Sequence, residues 1–490
     1  MCGIVGFFNF EKNIEFVIKS LEVINYRGLD NSGIYFGENV ILKKDFDKVQ
    51  NQESDFCIGH NLHRIVSNIS QPLKSEKGVL VTNAEIYNWK SFDGNFDNDS
   101  QVLLNLLDNL ENVPQEIIGL LDKLDGPFAF CYKRENDFFL VRDLIGIKPL
   151  FYFFDERTNK FCFASEKKAL SFLNVEILEL NPTEILHFNY KTGILIKIKR
   201  PFFSLGSVHQ ESYEQLKKQT KELLIKAVKK RVPENQKLGL LFSGGIDSTF
   251  IAYVLRELKV DFTCYTAKFL GGNIEEAEDL VYAKRIAKEY NLNLKVAEVS
   301  TEELENYIVE VIKLIESRNC IKVSVALPFY IACKLAQKDN IRVMMTGIGS
   351  EEIFAGYKRH KKADDANQEC VEGLKMLHER DLYRDDVVCM GCNQEERVPF
   401  LDNDLIRFAI NIPVKYKLDI PNDRSKIILR DIALDMKMNP DYADRQKKAA
   451  QYGSKSDKGI LRLAKDKGML RQDYLNSLDI PEVELDFWKR

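Results

Sequence analysis

The chain of 490 residues has few of the residues that build disulfide frameworks and zinc sites. Its ten cysteines are irregularly spaced, and its six histidines form no HExxH motif. A secreted disulfide scaffold needs closely and regularly spaced cysteines, and a structural zinc site needs four clustered ligands. The sequence therefore predicts reduced, mostly buried thiols and no zinc site.

The sequence also lacks a strong charge of one sign and long apolar runs. Lys and Arg total 70 against 74 Asp and Glu, a formal net charge of −4, so there is no broad basic field for nucleic acid. No apolar run approaches the ~20 residues of a membrane helix, and the first residues lack the features of a signal peptide. We expect a cytoplasmic protein without nucleic-acid or membrane partners.

The two halves of the chain differ in the period of their apolar residues. Up to about Phe188, short β-type runs are separated by Gly, Asn and Asp turns, which indicates an α+β domain with antiparallel sheets. The predicted helices are Ile14 to Ile24, Ser100 to Asn109 with Asp99 as the capping residue, and Gln115 to Leu124. Helical layers over β-sheets are the expected packing.

The second half follows a polar stretch over 191–211, which we interpret as a linker. Strands then alternate with long helices, a pattern typical of a parallel, doubly wound sheet. Beyond Glu351 the pattern predicts helices only. The predicted domains are 1–190 and 212–490, joined by the linker.

Cys2 is a candidate nucleophile because of its position. Removal of Met1 would leave a thiol and an α-amine of pKa near ~8 on one residue, so that the amine can take the thiol proton. A cysteine here is weak evidence alone, since it also suits a buried structural role. Further motifs follow it in order: YRGLDNSG from Tyr26, GHNLHR from Gly59, NAEIYN from Asn83, DSQV from Asp99, DGPFAF from Asp125 and RDLIGIKPL from Arg142.

Together these motifs resemble the class II glutamine amidotransferases, whose glutaminase domain has the αββα N-terminal-nucleophile fold. The resemblance implies that Cys2 attacks the glutamine side-chain amide, with the Asn83 side chain and the Ala84 backbone N–H as the oxyanion hole. It also implies that Arg64 binds the substrate carboxylate and Asp99 its ammonium group. Ala84 stands where the family usually has Gly, so its φ must suit a residue with a Cβ.

A second motif, LFSGGIDST over 241–249, lies where a predicted strand passes into a helix. Its two glycines let the backbone approach an anion, Ser243 and Ser248 offer hydroxyls, and the helix N-terminus adds positive potential. There is no Walker lysine. The motif resembles the pyrophosphate loop (PP-loop) of ATP-pyrophosphatases, which implies that Asp247 holds Mg²⁺ across the phosphates of ATP.

Two later motifs, TGIGSEEIFAGY over 346–357 and EERVPFLD over 395–402, resemble the synthetase domain of glutamine-dependent asparagine synthetases. This resemblance covers nearly the whole chain and implies an α/β PP-loop domain with a helical C-terminal part. It implies that ATP and aspartate form β-aspartyl-AMP, and that ammonia reaches it from the Cys2 site through a tunnel. Glutamine, aspartate and ATP are the implied small-molecule partners, and a homodimer remains open.

The resemblance also implies roles for individual residues of the second half. The residues implied to bind ATP are Leu241, Ser243, Gly244, Gly245, Asp247, Ser248, Ala267, Thr346 and Gly347, with Asp279 nearby. Those implied to bind Mg²⁺ are Asp247 and Glu351. Tyr357 with Lys447 or Lys448 is implied to stabilise charge on the phosphates.

Three positions depart from the family pattern. Ile348 stands where the family has an acidic residue, Glu351 where it has a metal-binding Asp, and Ser324 where it often has an Arg. A longer carboxylate can still reach Mg²⁺, whereas Ile348 and Ser324 leave the acceptor open. The Gly-Ile-Gly pattern and the stretch from Arg384 to Asp386 resemble the asparagine synthetase domain-containing branch of the family. The alternative is an amide ligase of the same mechanism that acts on a different carboxylate.

Two interpretations from other classes are a non-catalytic protein with a decayed fold and a tRNA-modifying pyrophosphatase. The retained Cys2, Asn83 and Asp247 argue against decay, and the missing basic field argues against tRNA. Cys389 and Cys392 form a CxxC that suits a redox pair or half a zinc site, and ordinary thiols are the preferred interpretation.

Overall fold

Short apolar runs separated by turns build the first of two structural units. The computed structural model describes residues 2–66, 69–269, 277–446 and 450–480. The first unit extends to Phe202 and the second covers Phe203–Ile480. Residues 194–199, within the stretch interpreted as a linker, form an edge strand of the first unit.

The described part of the first unit contains thirteen strands and three α-helices. The strands are β1 (Gly3–Phe8), β2 (Asn31–Phe36), β3 (Asn39–Leu42), β4 (Phe56–Leu62), β5 (Leu73–Lys74), β6 (Gly78–Ala84), β7 (Phe128–Arg134), β8 (Asp137–Arg142), β9 (Phe151–Asp155), β10 (Lys160–Ala164), β11 (Leu178–Glu179), β12 (Glu184–Asn189) and β13 (Ile194–Lys199). The helices are α1 (Asn13–Val23), α2 (Asp99–Asp108) and α3 (Val113–Leu121).

Two antiparallel sheets form the middle layers of this unit. One has the strand order β11-β9-β10-β1-β4-β2-β3 and the other β13-β12-β8-β7-β6-β5. Apolar side chains from both sheets, including Phe8 on β1 and Phe138 on β8, share one buried core. Helix α1 packs on β1 and β4, whereas α2 and α3 cover the other sheet. The predicted αββα layering is confirmed.

The start of α2 corrects one detail of the sequence analysis. Asn98, not Asp99, is the N-cap, and its side chain accepts a hydrogen bond from the Gln101 backbone N–H at 3.0 Å. Asp99 is the first helical residue, and its Oδ2 accepts a hydrogen bond from the Ile86 backbone N–H at 2.9 Å. Either residue type can cap a helix, and here a tertiary contact with the loop after β6 takes the Asp99 carboxylate.

Alternating strands and helices build the second unit. Its described strands are β14 (Leu238–Leu241), β15 (Phe262–Phe269), β16 (Leu294–Val299), β17 (Val343–Met345), β18 (Glu395–Arg397), β19 (Leu418–Asp419) and β20 (Arg424–Ser425). Its described α-helices are α4 (Tyr213–Lys229), α5 (Ile246–Glu257), α6 (Glu278–Glu289), α7 (Thr301–Ile315), α8 (Cys320–Lys338), α9 (Ser350–Ile353), α10 (Ala366–Lys375), α11 (Tyr383–Met390), α12 (Asn403–Ala409), α13 (Ile427–Asp435), α14 (Pro440–Ala443), α15 (Ala450–Gly453), α16 (Ser456–Asp466) and α17 (Arg471–Ser477).

The main sheet of this unit is parallel, in the order β16-β15-β14-β17-β18. The chain moves outward in both directions from β14, so the topological switch point lies between β14 and β17. In such sheets a cleft forms outside the carboxyl ends of the strands at the switch point. The geometry thus places the loops after β14 and β17 in one binding region.

The prediction that strands end at Glu351 was wrong. Strand β18 pairs with β17 in parallel as the fifth strand, and β19 pairs with β20 as a small antiparallel ribbon. The sequence of β18 is Glu-Glu-Arg, and all three residues are buried. An apolar pattern cannot reveal a strand whose buried side chains are charged and paired with other groups.

Helix α8 corrects the expectation that no segment reaches the length and composition of a membrane span. Its 19 residues are long and apolar enough to cross a membrane by length and composition alone. More than half of this apolar segment is buried inside the protein. The helix packs against β15, α7 and α11. The Asn319 side chain accepts hydrogen bonds from the Ile321 and Lys322 backbone N–H groups and caps its first turn.

His60 links the two sheets of the first unit. It lies on β4 with its side chain fully buried, and its Nε2 is 3.1 Å from the carbonyl oxygen of Thr82 on β6. Burial lowers the pKa of His60 from 6.5 to about 3, although the hydrogen bond to Thr82 opposes this shift. The imidazole is therefore neutral at physiological pH and has a structural role.

We predict that His60 makes the first unit acid-sensitive. Because the pKa is lower in the folded protein, the unfolded chain takes up the proton first as pH falls. The stabilisation is complete above about pH 6.5 and is lost progressively toward pH 3. Thermal midpoints measured across this range will fall less steeply for His60→Gln than for the wild type. The partly exposed His187 supplies the matched control, and equal slopes for His60→Gln and wild type would contradict the prediction.

Candidate functional site

Cys2 and Asn83 form the centre of the site in the first unit. Cys2 directly precedes β1 and is 8% exposed, and its backbone nitrogen donates a hydrogen bond to Asn83 Oδ1 at 3.0 Å. This bond orients the amide of Asn83, whose Nδ2 is buried without a hydrogen-bond partner among the described residues. A buried donor without an acceptor is costly. Asn83 Nδ2 is therefore suited to receive an oxyanion formed next to Cys2.

The backbone after Asn83 is compatible with the same use. Ala84 ends β6, and its φ is not among the positive values of the chain. A Cβ is therefore tolerated at this position, although a glycine is usual in similar sequences. The hydrogen bond from Ile86 N–H to Asp99 Oδ2 holds this segment against the start of α2. The fold thus brings Asp99 to the segment that follows Asn83.

Arg64 is the predicted residue that the structure supports least. It is exposed on the loop after β4, and its backbone N–H donates to Asp30 Oδ2 at 2.8 Å. Its guanidinium makes no hydrogen bond or ion pair with the described residues. The structure therefore leaves its proposed role in binding a carboxylate as a prediction.

A buried network of charged residues, which the sequence analysis did not predict, contacts the backbone of Cys2. Arg27 Nε donates to the Cys2 carbonyl oxygen at 3.1 Å, and Arg27 Nη1 pairs with Glu166 at 2.7 Å. Glu166 also pairs with Lys168 and accepts a hydrogen bond from Tyr26. Burial raises the pKa of Glu166, but Lys168 and Arg27 outweigh burial and hold that pKa below its ordinary value. The YRG motif signalled Arg27, whereas no quoted motif signalled Glu166.

The second site begins with the loop between β14 and α5. Gly244 has φ of +66°, and a Cβ there would lie 2.7 Å from the Ala283 backbone nitrogen. Only glycine fits this left-handed turn packed against α6. Ser243 Oγ accepts a hydrogen bond from the Gly245 N–H at 3.3 Å, and Ser248 lies in the first turn of α5. The loop thus presents hydroxyls and a helix N-terminus to one cleft.

Two carboxylates meet beside this loop because β14 and β17 are neighbours. Asp247 lies at the start of α5, and Glu351 lies on α9, which follows β17. The ammonium of Lys426 is 2.7 Å from Asp247 Oδ1, from Asp247 Oδ2 and from Glu351 Oε1. One cation therefore bridges the two carboxylates.

The surrounding backbone leaves room for these carboxylates. A Cβ on Gly356 would lie 1.6 Å from Glu351 Oε2, and one on Gly347 would lie 2.9 Å from Asp247 Cβ. The site offers carboxylate oxygens, the ligands that Mg²⁺ prefers, and it already accommodates one cation. The residues present therefore fit a divalent cation.

Arg445 connects the loop to Asp279. Its Nη1 donates to the Ser243 carbonyl oxygen at 3.0 Å, its Nη2 pairs with Asp279 Oδ1 at 2.5 Å, and its guanidinium stacks on Tyr282 at 4.3 Å. Asp279 was expected near the nucleotide, and it lines the cleft. Arg445 was not predicted, because a single arginine far along the chain carries no local pattern.

A cleft of about 540 Å³ lies above these groups. The predicted residues that line it are Leu241, Ser243, Gly245, Asp247, Ser248, Ala267, Thr346, Gly347, Glu351 and Tyr357. Gly244 is not in the lining and acts through the turn instead. Tyr357 lies close to the guanidinium groups of Arg359 and Arg380, at 4.3 and 5.4 Å. Lys447 and Lys448 fall outside the described residues.

The whole chain matches known protein families. A glutamine amidotransferase domain model matches residues 1–219, and an asparagine synthase model matches residues 219–368 and 361–473. A glutamine-hydrolysing asparagine synthetase, by name, of Methanocaldococcus jannaschii is 32% identical, over 98% of both chains. The chain belongs to the glutamine-hydrolysing asparagine synthetase family.

More distant members show the same likeness. Asparagine synthetase B of Escherichia coli is 27% identical over 88% of this chain and 78% of its own length. Asparagine synthetase 3 of Arabidopsis thaliana is 28% identical over 90% of this chain and 76% of its own length. The resemblance inferred from the motifs is confirmed.

Two positions that depart from the asparagine synthetase pattern differ in their location. Ile348 lines the cleft, whereas Ser324 does not. The Ser324 hydroxyl turns back and donates to the Cys320 carbonyl oxygen at 2.5 Å. Lys322, two residues earlier on α8, lines the cleft. Its ammonium donates to the Glu379 carbonyl oxygen at 3.2 Å. The positive charge missing at 324 is thus present at 322.

The other cations on this side of the cleft are neutralised. Arg380 pairs with Glu352 and with Asp381, the latter at 2.6 Å. Arg384 binds Asp385 through two hydrogen bonds of 2.7 and 2.9 Å. By contrast, Lys322 makes no ion pair with a carboxylate among the described residues. This ion network was not predicted from the sequence.

The CxxC pair consists of buried thiols. Cys389 Sγ lies 3.9 Å from the sulfur of Cys333 on α8, and Cys389 and Cys392 are both fully buried. A disulfide requires about 2.05 Å between sulfurs. Burial raises the pKa of the Cys392 thiol. The interpretation of Cys389 and Cys392 as ordinary thiols agrees with this geometry.

We predict that Gly356→Ala disrupts the carboxylate site. The new Cβ would overlap Glu351 Oε2 at 1.6 Å, so Glu351 must move away from Lys426. The expected result is a lower thermal midpoint and weaker binding of nucleotide with Mg²⁺, measured by calorimetry. Gly206→Ala is the control, because a Cβ there meets nothing closer than 3.7 Å. Equal behaviour of the two variants would contradict the prediction.

Proposed function

We propose that this chain converts aspartate to asparagine with ATP and glutamine, by way of β-aspartyl-AMP. The observation that carries the proposal is the pairing, in one chain, of a Cys2–Asn83 site with a cleft that holds Asp247 and Glu351. The first suits release of ammonia from an amide, and the second suits adenylation of a carboxylate. Family membership supports the same pair of reactions.

In the first unit, the α-amine of Cys2, exposed once Met1 is removed, takes the thiol proton. The thiolate attacks the side-chain carbonyl carbon of glutamine, and Asn83 Nδ2 with the Ala84 N–H stabilises the oxyanion. Ammonia leaves, and water then hydrolyses the thioester to glutamate. We assign Arg64 to the carboxylate of glutamine and Asp99 to its ammonium group.

In the second unit, the loop from Ser243 to Ser248 receives the phosphates of ATP. The β-carboxylate of aspartate attacks the α-phosphorus, and pyrophosphate leaves. Ammonia then attacks the acyl carbon, and AMP leaves with the formation of asparagine. Mg²⁺, when bound by Asp247 and Glu351, neutralises phosphate charge. Tyr357 and Lys447 are the proposed partners of the phosphates on the protein side.

We predict that Cys2→Ala separates the two half-reactions. Without the thiolate, formation of glutamate and glutamine-dependent asparagine will fall to background, because no other group supplies the nucleophile. Ammonium chloride will still support asparagine, AMP and pyrophosphate in equal amounts. Product analysis with ATP, Mg²⁺ and each nitrogen donor measures this directly.

The outcome without aspartate tests the acceptor. In the wild type, pyrophosphate release should require aspartate. Glutamine hydrolysis with no effect of aspartate on pyrophosphate release would reject asparagine synthesis. That result would favour an amide ligase that acts on another carboxylate.

We predict that Lys322 binds the anionic α-carboxylate of the acceptor. Its ammonium lines the cleft, whereas Arg380 and Arg384 are already paired with carboxylates. Loss of a charge-assisted hydrogen bond costs about 1.5–3 kcal/mol. Lys322→Gln should therefore raise KM for aspartate about tenfold or more, with little change in KM for ATP.

A second variant controls for general charge effects. Lys375 on α10 is paired with Glu372 at 2.8 Å and does not line the cleft. Lys375→Gln should keep both KM values. A rise in KM for ATP alone in Lys322→Gln would assign this lysine to the phosphates and contradict the prediction.

A further inference from the structure

Lys426 is in an unusual position for a lysine. It is 1% exposed, and its backbone adopts the left-handed region, with φ of +57° and ψ of +36°, directly before α13. Non-glycine residues rarely adopt this conformation, and such strain is retained where the surrounding structure imposes it. Burying an ammonium group also requires compensating partners. The fold thus keeps this side chain in place although the left-handed backbone and the burial of the ammonium both cost free energy.

The partners of Lys426 are the two residues proposed as metal ligands. Its three hydrogen bonds of 2.7 Å reach Asp247 Oδ1, Asp247 Oδ2 and Glu351 Oε1. Ser350 Oγ donates a further hydrogen bond to Asp247 Oδ1. The ammonium therefore lies between the carboxylates, in the place that suits one bridging cation.

Arg430 and Glu352, two neighbouring charges in the described part of the chain, form hydrogen bonds or ion pairs with other groups. Arg430 lies on the next turn of α13, and its Nε and Nη1 donate to the carbonyl oxygens of Ser425 and Ala443 at 2.8 and 2.6 Å. Glu352, beside Glu351, pairs with Arg380. Lys426 thus makes direct charge-assisted hydrogen bonds to both Asp247 and Glu351.

We propose that Lys426 substitutes for a divalent cation in the nucleotide-free protein and moves to the phosphates when ATP and its metal bind. The inference rests on the proposed function, because it takes Asp247 and Glu351 as the metal ligands. A metal that arrives alone must displace the ammonium from both carboxylates and leave it without an anionic partner. A metal that arrives with ATP brings phosphate oxygens that replace those partners. Lys426 thus couples metal binding to nucleotide binding.

The test measures metal binding without nucleotide and without turnover. Mn²⁺ serves as the probe, and electron paramagnetic resonance counts the free ion in protein solutions. We expect Lys426→Gln and Lys426→Met to bind Mn²⁺ at least about tenfold more tightly than the wild type, because the competing charge-assisted hydrogen bonds are gone. Lys426→Arg keeps the positive charge and should not show this gain.

A matched control uses Lys417, which is also a buried lysine in the described part of this unit. Its ammonium donates to Asn367 Oδ1 at 2.7 Å and makes no hydrogen bond to Asp247 or Glu351. Lys417→Gln should therefore keep the Mn²⁺ affinity of the wild type. Adding Asp247→Asn to Lys426→Gln should abolish the gain, since Asp247 is the ligand that becomes available.

Three results with the variants would overturn the inference. The first is that folded Lys426→Gln and Lys426→Met proteins bind Mn²⁺ no more tightly than the wild type. The second is that the gain in Mn²⁺ affinity survives the addition of Asp247→Asn. The third is that Lys417→Gln shows a gain in Mn²⁺ affinity of the same size. The wild type gives a measurement that needs no variant. Mn²⁺ without nucleotide should leave its thermal midpoint unchanged, and a clear rise would also overturn the inference. These Mn²⁺ experiments do not measure product formation, so a failure of the inference is distinguishable from a failure of the proposed function.

Discussion

Two carboxylates held together at the end of a parallel sheet need a cation between them. Asp247 and Glu351 converge because β14 and β17 are adjacent. Two negative charges that bind the same ammonium group repel each other strongly where water is excluded. Lys426 supplies the compensating charge, and Gly356 supplies the space. The space beside Gly356 and the strained backbone of Lys426 both serve this one electrostatic requirement.

The first unit satisfies buried charge in the same way. Glu166 is shared between Arg27 and Lys168, so that a carboxylate can be buried near Cys2 while remaining ionised. In the same unit, Asn83 Nδ2 lies next to Cys2 as a buried donor without a hydrogen-bond partner among the described residues. Buried polar groups are nearly always paired, so an open donor beside a thiol is suited to bind a substrate oxygen.

The cleft of the second unit has a positively charged side chain close to one position that departs from the family pattern. Ser324 points away from the cleft, and Lys322 on the same helix faces it. The departures at positions 324 and 351 therefore change how far the charged side chains extend more than they change the charge of the groups in the cleft. Ile348 is different, because it replaces a charged group at the lining by an apolar one.

Short motifs were enough to identify the family, because a motif such as the 243–248 loop encodes its own backbone geometry, including the left-handed turn at Gly244. The layers of both units also followed from apolar periodicity. Tertiary structure alone decided the partners of these groups. Lys426 lies 179 residues from Asp247, and Arg445 lies 166 residues from Asp279. A single basic residue so distant carries no local pattern, since its role depends on which strands are neighbours in the folded sheet.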